Sequence, residues 1–131
     1  MSDSPTTWPG SIFAMTIFAE DLAATKAFYQ RVFGLPVHYE DDVSCVFLFG
    51  ETMINLLQVS EAPDLITPIP VADPGVGAQS QLTLQVDDVD AKVAELTALG
   101  VEFVNGPMDR PWGIRTALFR DPAGTLWEIA R

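Results

Sequence analysis

The chain repeats itself. Met15-Thr-Ile-Phe-Ala-Glu-Asp21-Leu22 lies over Leu82-Thr-Leu-Gln-Val-Asp-Asp88-Val89 at a shift of 67 positions, and both stretches run from strand-forming residues through an acidic pair into a helical pattern that stops at glycine. A half-size unit of this kind cannot bury its apolar face alone, so the two copies must pack on one another, within the chain or between chains. Asp21 and Asp88 are the residues expected to cap the helices, each carboxylate accepting from free amides of the first turn. Leu22, Ala27, Phe28, Val32 and Phe33 form the stripe expected to be buried on the first helix, and Gly34 suits the left-handed residue after it. Val89, Val93, Leu96 and Leu99 do the same for the second, which ends at Gly100.

Short strand patterns divided by turns follow each helix. They run over residues 36–40, 44–49 and 52–59 in the first copy, and 101–105, 115–120 and 125–130 in the second. Asp121-Pro-Ala-Gly124 carries the residues of a tight turn at their proper places. The unit is strand, helix, three strands, written twice, and the fold class expected is α+β: tandem βαβββ modules forming a curved mixed sheet around a cavity. The first module spans 11–59 and the second 81–131, in one domain of 11–131. Pro63, Pro68, Pro70 and Pro74 mark the 60–80 connection as an irregular linker, and residues 1–10 read as a flexible tail.

Composition limits what such a domain can meet. Eighteen acidic residues against seven basic ones leave a formal net charge of −11. That charge repels phosphate backbones and anionic bilayers, so neither nucleic acid nor membrane is expected as a partner. No apolar run approaches the ~18 residues of a membrane span, and the first ten residues lack the pattern of a secretory signal. Cys45 is the only cysteine, which excludes an intrachain disulfide and suits a cytoplasmic setting.

Phe28-Tyr29 and Phe33-Gly34-Leu35 in the first helix, together with the terminal Arg120-Asp121-Pro122-Ala123-Gly124 and Glu128, give the chain its likeness to a known group. Over residues 11–131 it resembles the vicinal oxygen chelate superfamily: glyoxalase I, extradiol dioxygenases, methylmalonyl-CoA epimerase and the bleomycin-resistance proteins. The resemblance implies a homodimer and a metal held at four positions, one on the first and one on the last strand of each module. Those positions carry Ala14, Asn55, Gln81 and Glu128 here. A methyl group donates nothing, two amides are weak ligands, and His38, the single histidine, lies off the matched positions. No metal and no other cofactor is therefore expected.

Alternation decides which side chains share the cup with those four. Thr16 and Phe18 join Ala14, while Phe13, Met15 and Ile17 point toward the helix; Gln81, Thr83 and Gln85 share one face while Leu82, Leu84 and Val86 share the other. Trp112, in Pro-Trp-Gly, resembles the groove-rim tryptophan of bleomycin-resistance proteins and offers a flat face for stacking. Glu128 is the candidate general base, with Arg115 or a cationic ligand as its partner. Cys45 has no basic neighbour in sequence and reads as core. These residues suit a small organic molecule of modest polarity. Two alternatives stay open: a metal-dependent lyase, isomerase or dioxygenase that uses Gln81 and Glu128, and a partner-binding domain that uses a sheet edge.

Overall fold

The structure is a computed structural model that describes residues 8–131. The part of the tail before Trp8 lies outside the described residues. The first module comprises β1 (Ala14–Ala19), α1 (Leu22–Phe33), β2 (Tyr39–Glu40), β3 (Ser44–Phe49) and β4 (Thr52–Gln58). A short helix, α2 (Pro63–Ile66), follows. The second module comprises β5 (Gln81–Gln85), α3 (Val89–Ala98), β6 (Phe103–Asp109), β7 (Arg115–Arg120) and β8 (Leu126–Ala130).

The fold is α+β, and its mixed sheet is present as two four-stranded sheets of identical topology, β1-β4-β3-β2 and β5-β8-β7-β6. The helical crossover in each module lets the first strand run parallel to the last, while the remaining pairs are antiparallel. Both caps form as the sequence requires. Asp21 accepts from the Ala24 amide and Asp88 from the Ala91 amide, each at 3.0 Å. Gly34 takes the left-handed conformation after α1 at φ 66°. Asp21→Ala and Asp88→Ala are each expected to cost about 1 kcal/mol in urea denaturation, and their costs should add because the caps share no partner.

Several local expectations are corrected. The strand expected at 36–40 is reduced to Tyr39–Glu40, since Pro36 has no amide to donate to a ladder. That expected at 101–105 starts later and runs on to Asp109 through two register shifts. The linker contains α2, with Pro63 at a position where its missing amide costs nothing. On α1 the buried stripe is Thr25, Phe28, Tyr29 and Val32, and Ala27 is exposed. Thr25 fits because its hydroxyl donates to the Asp21 carbonyl at 2.8 Å. Leu99 and Phe13 are also exposed, the latter because β1 begins one residue after it.

One core joins the modules. Met15, Ile17, Phe47, Ile54 and Leu56 of the first sheet and Ala117, Phe119, Trp127 and Ile129 of the second belong to the same apolar cluster. Aromatic rings from α1 contact both sheets: Tyr29 lies 5.4 Å from Phe47 and 6.0 Å from Trp127, and Phe33 lies 5.0 Å from Phe49 and 4.8 Å from Trp127. Phe49 stacks on Trp127 at 5.2 Å, so the helix-facing sides of the two sheets meet directly. Side chains alternate across a strand, so the opposite face of each sheet points away from this common core.

Candidate functional site

Those outward faces carry the residues singled out from the sequence. On the first sheet Thr16 pairs in register with Asn55, and on the second Thr83 pairs with Glu128. The two pairs hold the same place in their sheets, first strand beside last strand. Thr83 Oγ1 donates to Glu128 Oε1 at 3.0 Å, and Asn55 Nδ2 reaches Thr16 Oγ1 at 3.5 Å. Ala14 sits beside Met53 and Gln81 beside Leu126, at the entrance of β1 and β5 respectively. Phe18 is half-buried, and with Thr16 it borders an open crevice of about 290 Å³ whose other walls are linker residues such as Val71, Asp73 and Pro74 and the turn at residues 123–126. The chain thus carries two equivalent polar pairs, each on the face of its sheet turned away from the common core.

Glu128 is flanked by Trp127 and Ile129, both buried on the core side. Among the described residues Thr83 is its hydrogen-bond donor, which leaves its second oxygen to a ligand or solvent. Arg115, expected beside Glu128, is directed elsewhere. Its Nε and Nη2 donate to both oxygens of Asp90 at 3.1 and 3.0 Å, and its Nη1 donates to Asp109 at 3.0 Å. These two carboxylates hold the guanidinium pKa above its ordinary value, chiefly through the hydrogen bonds that Asp90 accepts. Trp112 lies in the turn between β6 and β7 and is 69% exposed. Cys45 is buried and burial pushes its thiol pKa up, which disfavours a nucleophilic thiolate. His38 is exposed on the short second strand's approach.

Sequence reasoning missed a buried polar cluster. Asp121, 2% exposed, accepts from Tyr29 Oη at 2.7 Å and Trp127 Nε1 at 3.3 Å through one oxygen, and from the amides of Ala123 and Thr125 at 3.0 and 2.9 Å through the other. Burial raises its pKa, an effect partly offset by the four hydrogen bonds. Burial, followed by the neighbouring carboxylate, pushes the Tyr29 phenol well up, so the phenol stays neutral and donates. The signal was available, because the Phe28-Tyr29 and Asp121-Pro-x-Gly motifs were both visible. What was lacking was the knowledge that they touch.

The four positions matched through the resemblance differ in what they offer a metal ion. Ala14 supplies no donor atom, Asn55 and Gln81 supply neutral amides, and Glu128 supplies the one charge. Among the described residues no group of three or more His, Cys, Asp or Glu side chains is arranged to hold an ion.

A family model described as the Glyoxalase/Bleomycin resistance protein/Dioxygenase superfamily matches residues 11–129, and the chain belongs to that superfamily. It is 33% identical over 123 residues to the uncharacterised protein YraH of Bacillus subtilis (strain 168), covering 90% of this chain and 95% of that one. A glyoxalase/bleomycin resistance protein/dioxygenase from Nocardioides has a similar structure at TM-score 0.83 and 23% identity, covering 96% of this chain and 85% of its own. A lactoylglutathione lyase from Agrobacterium tumefaciens is similar at TM-score 0.71 and 29% identity, with 93% of each chain covered. No described helix is long and apolar enough to cross a membrane.

Proposed function

We propose that this protein binds a small organic molecule in a cup completed by two copies of the chain, with the Thr16–Asn55 face of one copy set opposite the Thr83–Glu128 face of the other. The observation that carries the reading is the equivalence of these two pairs, each displayed on the face of its sheet turned away from the common core. A single copy therefore has two open halves, and a homodimer closes each against its counterpart. Ala14, Phe18 and Gln81 add apolar and amide surface to the cup, and Trp112 is a rim residue able to stack on a planar ligand. Glu128, with one oxygen uncommitted to protein, favours a ligand carrying a cationic or hydrogen-bond-donating group. A superfamily fold does not select a reaction, so the reading rests on the side chains of the cup.

The test is an NMR titration with a panel of small aromatic amines. Ligand-induced shifts at Thr16 and Asn55 together with Thr83 and Glu128 support the reading, whereas shifts confined to one pair contradict the composite cup. Glu128→Gln keeps the acceptor for Thr83, so the fold should change by less than about 0.5 kcal/mol, while affinity for a cationic member of the panel should fall about tenfold.

A second reading is favoured by the 29% identical lactoylglutathione lyase: metal-dependent lyase, isomerase or dioxygenase chemistry with Gln81 and Glu128 as ligands. Elemental analysis after dialysis against zinc, nickel or manganese decides between the two. One tightly held ion per chain replaces the first reading with the second.

A further inference from the structure

A separate groove shares no lining residue with either the Thr16–Asn55 or the Thr83–Glu128 pair. It is an open cavity of about 600 Å³ whose floor is Phe28, Val101 and Phe103, and Arg31, Arg120 and Pro122 stand around it. The floor is apolar and partly pre-buried, while neighbouring Val104 is 48% exposed.

Two unpaired guanidinium groups line this one groove. Lys26, Lys92 and Arg115 each pair with a carboxylate, as Glu40, Glu95 and the Asp90–Asp109 couple show. Among the described residues Arg31, Arg120, Arg110 and Arg131 have no such partner, and of these Arg31 and Arg120 border the same cavity, while Arg110 donates to Thr116 and Asn105. Arg31 is nonetheless held in place, since its Nε donates to the Leu99 carbonyl at 3.1 Å and its guanidinium sits 5.6 Å over the Phe28 ring. Its terminal amino groups are left to a ligand or solvent. Asp121 also borders the groove, but its carboxylate is turned inward to Tyr29 and Trp127 and does not neutralise the arginines. Glu102 is the one exposed acid on the rim.

We propose that this groove is a separate binding site for a small amphipathic monoanion, an aryl or alkyl carboxylate whose apolar body lies on Phe28, Val101 and Phe103 while its carboxylate meets Arg31 and Arg120. A chain of net charge −11 repels anions in general, so retention of one requires local, uncompensated guanidinium groups over an apolar floor. The ligand chemistry is opposite in sign to that suited to Glu128, which separates the two sites functionally.

The test uses 3-phenylpropionate as probe, followed by calorimetry and by ¹H–¹⁵N NMR of the wild-type protein. Saturable binding with shifts at Phe103, Val104 and the Arg31 Nε–H group is expected. The uncharged 3-phenylpropionamide should bind about tenfold more weakly or worse, and Arg120→Gln, which removes no described hydrogen bond, should weaken the carboxylate by a similar factor at unchanged melting temperature. Glu102→Gln should tighten it. Equal affinity for acid and amide, an unaffected Arg120→Gln variant, shifts at Thr83 and Glu128 instead, or no saturable binding would each overturn the proposal.

Discussion

Replacing Asp121 by alanine is expected to lower the unfolding free energy by about 4 kcal/mol, a loss comparable to the whole stability of a marginal domain. The variant strips the acceptor from four donors at once: Tyr29 Oη, Trp127 Nε1 and the amides of Ala123 and Thr125. It also unties α1 from the last turn, which is where the two modules share a polar contact inside their common core. Asp121→Asn is a milder change, expected at about 2 kcal/mol, because either orientation of the amide sets its NH₂ against at least one of these donors. A protonated carboxyl avoids that conflict, since its hydroxyl can donate to Tyr29 and still accept from Trp127.

The pH dependence follows from the raised pKa of Asp121, for which burial is the chief cause. A folded-state pKa above the unfolded value means that the native protein holds the proton more tightly. The associated stability is fully present below the ordinary carboxylate range, near pH 3.8, and is lost as pH rises through the folded value. Urea midpoints measured across that window should show the wild type gaining on Asp121→Asn as pH falls. A gap that widens with rising pH would mean that the four hydrogen bonds outweigh burial.

Gly106→Ala is the second large effect, expected at about 3–5 kcal/mol from backbone strain and overpacking combined. Gly106 has φ +84°, a conformation that alanine adopts only under strain, and a methyl group there would lie 2.5 Å from the Thr116 carbonyl oxygen and 2.7 Å from the Ala117 α-carbon. Both obstacles are backbone atoms of β7 inside a ladder, so neither can move aside cheaply. Gly113 separates the two causes. It has φ +97° with open space around it, so Gly113→Ala should cost only about 1 kcal/mol, and chemical denaturation of the two variants side by side measures the steric share.

The parts of this molecule readable in the sequence were those set by neighbours along the chain. Asp21, Gly34 and Asp88 act within one helical turn, and the alternation of Gln81 to Val86 follows from strand geometry alone, so the repeat and its caps led directly to the tandem fold. Tertiary partners were not readable. Arg115 or a cationic ligand is the partner the sequence offers for Glu128, but Asp90 lies 25 residues away on α3 and offers both oxygens to the guanidinium fork of Arg115. Tyr29 and Asp121 are separated by 92 positions, and nothing local in either segment announces their bond. The direction in which the half-sites face depends on the meeting of Phe49 with Trp127, a contact between modules, and this explains why pairing within the chain and pairing between chains both stayed open.

The composite cup is tested most directly by spin labels on different copies. Ala14→Cys and Gln81→Cys proteins are labelled separately, with buried Cys45 left unmodified, then mixed and examined by pulsed electron resonance. The expected result is a short-distance component in the mixture that is absent from either labelled protein alone, because residue 14 of one copy and residue 81 of the other line the same cup whereas identical labels sit in different cups. A mixture with no short-distance component would contradict the account.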